Sequence, residues 1–201
     1  MAIKIPGPPD DGADAVRSAA QDLLPGRFPE RAHVELPLEV AAPLAVLHLG
    51  LDAVLEGADL DAAEHIGWRH VVRLGDEPVA LADVDAAHGP AQVRQVNYGP
   101  FVASVARAAE RSRRAVERRG GDVRLLQVPA LYVMALWHEQ EDGGTVVVLD
   151  PAPAPFEPGQ EYDADEFLEL LREAARAVGP GGAGLPEPDD EDDEPPRRPR
   201  T

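Results

Sequence analysis

The chain has 201 residues, 44% of them hydrophobic, enough to bury one substantial core, and 37 acids against 19 bases give a net charge of −18. That balance argues against nucleic acid and against an anionic membrane surface, both of which recruit Lys and Arg. Nucleophiles are scarce: no Cys, Ser18, Ser104 and Ser112, Thr145 and Thr201, and a single Lys4, so covalent catalysis would fall to the carboxylates.

Residues 1–9 read as an extended, Pro-rich segment with no apolar run of a secretion signal. No stretch anywhere approaches the ~20 apolar residues of a membrane-spanning helix, so a cytoplasmic protein is expected. Asp10 to Leu24 reads as a helix, with Val16, Ala19, Ala20, Leu23 and Leu24 on one face and Pro25-Gly26 as its stop. A short strand is expected around His33 to Leu36 and another over Leu44 to Leu49, followed by helical turns between Leu51 and Ile66.

Trp68 to Leu74 and Val79 to Val84 flank the turn Gly75-Asp76-Glu77-Pro78 and form a first hairpin. Pro100 then opens a long helix that Gly120-Gly121 ends. A second hairpin joins Leu131–Glu139 to Thr145–Asp150, with Arg124 to Val128 leading in. Its strands are apolar on both faces, so both faces need a cover, from the N-terminal helix or from a second copy in a homodimer. A last amphipathic helix runs from Asp163 to Val178, and residues 179–201, with seven acids, three arginines and no apolar residue beyond Leu185, read as a disordered tail.

The expected fold is therefore a single α+β domain over residues 10–178, with a largely antiparallel five-stranded sheet in the order α-βββ-α-ββ-α. The two hairpin-plus-helix units repeat a ββα pattern. This order is similar to that of type III secretion chaperones, a resemblance that implies a small, acidic, dimeric adaptor. The phrases Gly67-Trp68-Arg69, Val128-Pro129-Ala130-Leu131-Tyr132 and Ala135-Leu136-Trp137 resemble an actinobacterial protein family and imply no activity.

Several groups carry candidate chemistry. Arg107, Arg111, Arg114 and Arg118 fall at steps of four, three and four along the long helix, a basic stripe opposite its apolar face. Glu110 and Glu117 offer only partial pairing. In a chain this acidic the stripe reads either as a solvated helix back or as a dock for an acidic partner protein, the chain's own tail or a phosphorylated ligand. Asp83, Asp85 and His88 form a carboxylate–imidazole cluster suited to acid–base work or a divalent ion. His65 and His70, with Glu64, Asp59 or Asp61, would hold a metal only if the loop folded back on itself. Asp150 closes the most apolar strand without a nucleophile beside it, and Tyr132, Met134 and His138 would line a pocket if the cover left a gap. A non-enzymatic binding or adaptor protein without a cofactor is the expectation. A metal- or carboxylate/His-dependent hydrolase is the alternative.

Overall fold

The computed structural model describes residues 5–28, 37–85, 90–140 and 143–178. The expected strand at His33–Leu36, His88 and the acidic tail lie outside these residues. The fold is α+β, built on one sheet of nine strands rather than five.

In chain order the elements are α1 (Gly12–Arg27), β1 (Leu38–Val40), β2 (Leu44–His48), α2 (Leu51–Leu55), β3 (Glu64–Leu74), β4 (Glu77–Asp85), β5 (Gln92–Asn97), α3 (Pro100–Arg119), β6 (Asp122–Val128), β7 (Val133–Glu139), β8 (Thr145–Val148), β9 (Glu161–Asp163) and α4 (Ala164–Val178). Single 3₁₀ turns occupy Leu60–Ala62 and Pro129–Leu131. The sheet order is β5-β4-β3-β2-β6-β7-β8-β9, with β1 pairing on the far end of β3. Every pairing is antiparallel except β2 with β6, which is parallel.

The repeat suggested by the sequence is larger than ββα. Four strands and a helix (β2–β5, α3) are followed by four strands and a helix (β6–β9, α4), and each set runs outward from the central β2/β6 seam. Because β2 and β6 are parallel, the operation relating the sets turns the sheet over, and the two helices land on opposite faces. α3 packs on Val46, Val71, Leu81, Leu125 and Leu136. α4 packs through Phe167, Leu168 and Leu171 on Leu47, Leu126, Ala135 and Val148. On α4's side of the sheet, α1 covers β3 and β4 through Val16, Ala20 and Leu24 against Val72, Ala80 and Ala82. The second hairpin, whose further cover was expected from α1 or from a second copy, is instead packed by α3 on one face and by α4 on the other, while α1 lies over the first hairpin.

Four local readings are corrected. Pro25 does not stop α1, which continues to Arg27; Phe28 packs into the cluster below and sits edge-on to Tyr98 at 6.1 Å, so tertiary contact offsets the one lost backbone bond. The segment leading into the second hairpin is the central strand β6. Leu131 belongs to a 3₁₀ turn, so β7 starts at Val133. Glu64–Ile66, expected as helical turns, already form part of β3.

Candidate functional site

Helix α3 organises the open side of the molecule. Phe101, Ser104, Ala108, Arg111 with Ser112, Ala115 and Arg118 succeed one another at steps of three and four, one stripe along its length. Near the start of this stripe the Asp150 N–H donates to Ser104 Oγ at 3.0 Å, tying the helix to the end of β8. A groove lies at each end of the stripe.

The first groove is apolar and about 750 Å³ in volume, lined by Phe101, Pro129, Tyr132, Val133, Met134 and Pro151, with Gln127 and the neighbours of Pro151 completing it. Tyr132 is 70% exposed, a large ring left in water beside an apolar hollow. Its backbone is left-handed (φ 54°) where the 3₁₀ turn Pro129–Leu131 meets β7, and its N–H donates to the Pro129 carbonyl at 3.0 Å. Among the described residues it is the non-glycine residue with positive φ. A conformation of that kind in a bulky residue marks a place where local strain is held by its surroundings.

The second groove, about 370 Å³, lies between the C-terminal half of α3 and strands β7 to β9. Arg111, Arg114 and Arg118 line it together with Ser112, His138, Thr145 and Glu161. His138 is 6% exposed, and its Nε2 lies 3.1 Å from the Gly120 carbonyl. Of the predicted pocket residues, then, Tyr132 and Met134 share one groove and His138 belongs to the other. The predicted arginine stripe divides as well: Arg107 is exposed outside the groove. Glu110, expected to pair within the stripe, instead bonds Arg73 of β3. Among the described residues Arg111, Arg114 and Arg118 have no carboxylate partner.

The carboxylates of β4 are engaged by arginines. Arg69, 7% exposed, grips Asp83 with both ends of its fork, Nε to Oδ1 at 2.5 Å and Nη2 to Oδ2 at 2.8 Å. Asn97 Nδ2 adds a 3.4 Å contact to the same carboxylate, and Arg69 Nη1 reaches Met134 Sδ at 3.7 Å. With its amide turned to satisfy both ends, the Gln127 oxygen accepts from Arg69 Nη1 and Nη2 at 3.0 and 3.1 Å. Asp85 pairs with Arg94 at 3.2 Å. These groups surround a smaller polar hollow of about 250 Å³.

A bulge brings His65 and His70 to the same side of the sheet. The register between β2 and β3 shifts at Val46/Leu47, so Leu47 faces His65 while Val46 faces Gly67. His70 Nδ1 bonds the Ala41 carbonyl at 2.9 Å, and His65 sits edge-on to Trp68 at 5.2 Å. Burial pushes both imidazoles below their usual value, the Gly67 carbonyl opposing this at His65 and the Ala41 carbonyl at His70, while the positive Arg124 lowers His65 further. Their Nε2 atoms are buried without a hydrogen-bond partner. No group of three or more His, Asp or Glu able to hold a metal ion occurs among the described residues.

On the α4 side of the sheet, Arg124 lies over the Trp137 ring at 5.5 Å and pairs with Glu139. Burial nevertheless raises Glu139 above the usual carboxylate range; Arg124 opposes that rise, while Asp122 and Asp61 add to it. Among the described residues no helix is long and apolar enough to cross a membrane.

No family model, no curated protein and no solved structure matches this chain.

Proposed function

We propose that the chain is a non-enzymatic, chaperone-like adaptor that holds a partner protein by an apolar segment seated beside Tyr132. One observation carries this reading: a hollow of about 750 Å³ walled by Phe101, Val133, Met134 and prolines, with a large aromatic side chain left exposed at its edge. Exposed apolar concavities of this kind attract apolar side chains, and Tyr and Met recur at the centre of protein contacts. The exposed arginines of α3, Arg107 included, offer a complementary surface to acids flanking that segment. The cytoplasm remains the proposed compartment.

The test is site-specific photo-crosslinking in the native cell, with a benzophenone amino acid in place of Tyr132. The reading expects a crosslink to a discrete protein that disappears when Met134→Glu places a charge in the groove wall. No crosslinked protein, or one indifferent to Met134→Glu, overturns it.

A further inference from the structure

We propose that the groove under Arg111, Arg114 and Arg118 is a binding site for a small ligand carrying two or three linked phosphoryl groups. The proposal does not rest on the adaptor reading, which draws its main support from the other end of α3.

The three arginines occupy successive turns of one helix, so their Cα atoms span about 10 Å along its axis. A row of guanidinium forks on that scale offers paired N–H donors to several phosphoryl oxygens at once. Hydroxyls from Ser112 and Thr145 and the buried His138 complete the walls. In a chain of net charge −18, three arginines meeting in one hollow without a carboxylate partner among the described residues are an unusual concentration of positive charge. Helical spacing alone would leave them on a convex helix back. Here β7, β8 and β9 close the other side and make a concavity of about 370 Å³, within the usual size of a small-ligand site.

Concavity favours a compact polyanion over an acidic protein surface. An oligophosphate brings its charge without a polypeptide backbone that must also enter the groove. Among the described residues the lining holds no Phe, Tyr or Trp to stack a base, and His138 is buried against the Gly120 carbonyl, so the phosphoryl chain is the recognised part. Glu161 stands on the opposing wall and repels an anion. It therefore limits affinity and supplies a substitution whose effect has the opposite sign to loss of an arginine.

Isothermal titration of the full chain at low salt, with inorganic tripolyphosphate, orthophosphate and a short oligoglutamate as probes, tests the assignment. Tripolyphosphate should bind saturably, and orthophosphate and oligoglutamate at least about tenfold more weakly. Arg111→Gln with Arg118→Gln should weaken tripolyphosphate by about tenfold or more, while Glu161→Gln should tighten it several-fold. Arg176→Gln, which removes an exposed arginine of α4 outside this groove, should leave it unchanged. The proposal is overturned if tripolyphosphate fails to saturate or if the arginine substitutions leave its affinity intact. It is also overturned if Glu161→Gln has no effect or if oligoglutamate binds equally well. That last result would return the arginines to an acidic protein partner.

Discussion

Tyr132 holds a left-handed backbone at a cost of about 1–2 kcal/mol for a residue with a Cβ. Its ring is mostly exposed and so returns little of that through burial. Tyr132→Gly removes the strain and adds about 0.5–1 kcal/mol of unfolded-chain entropy. The melting temperature should therefore hold or rise slightly, while binding of an apolar peptide to the groove weakens; a clear loss of stability in calorimetry would show that the ring supports the fold. The histidines act through pH. An unfolded His takes up a proton near 6.5, whereas folded His65 and His70 resist it because burial disfavours the charge. The unfolded state then binds more protons below 6.5, so their contribution is complete above that pH and is lost as pH falls below it. Glu139 has the opposite sign: its raised value makes its contribution fall as pH rises above 4.5. Chemical denaturation across this range should show stability declining as pH falls below 6.5, and a His65→Gln, His70→Gln double variant should flatten the decline. The sequence named these two histidines, but five-residue spacing hides the bulge that puts them on one side.

At the level of elements, what the sequence made legible follows apolar patterning. The faces of α1, α3 and α4, both hairpins and the two-sided β7 follow from alternation or helical spacing, except that Leu23 of α1 and Val178 of α4, expected on the buried faces, are exposed. What escaped were strands whose existence depends on a neighbour. β5 reads Gln-Val-Arg-Gln-Val-Asn and β9 is three residues around Tyr162; neither alternates cleanly, and each is fixed by pairing along β4 or β8. The arginine groove was half legible. Helical spacing gave the stripe, but the strands that turn it into a hollow come from distant sequence. Gly67 shows how tightly the bulge is built: its φ is 147°, and a Cβ there would lie 2.8 Å from the Val84 carbonyl oxygen. Gly67→Ala must move β4 or relax the bulge and should cost more than about 2 kcal/mol. Full stability in urea unfolding would mean that the β3/β4 ladder can yield at that point.

Across the whole molecule, the β2/β6 seam joins two sets of strands whose partners lie far apart in sequence, Ala45 opposite Arg124 and Leu47 opposite Leu126. Leu47, Leu125, Leu126 and Leu136 are essentially inaccessible, with Leu47 and Leu125 on opposite faces of the sheet. Their amides should exchange with deuterium only through global unfolding, while those of the edge strands β5 and β9 exchange sooner. Faster exchange at the seam than at the edges would make the two sets independent units. The same seam has a topological consequence. It is the only strand pairing between the two sets among the described residues, and the chain passes from one set to the other once, through α3 and Gly120-Gly121. If that link opened, the β6–β9 set of one molecule could dock on the β2–β5 set of another and rebuild the parallel ladder twice, with no new surface. Such a pair would be an exchanged dimer, entered through partial unfolding and slow to come apart on dilution, and it would require neither face of the sheet to be exposed.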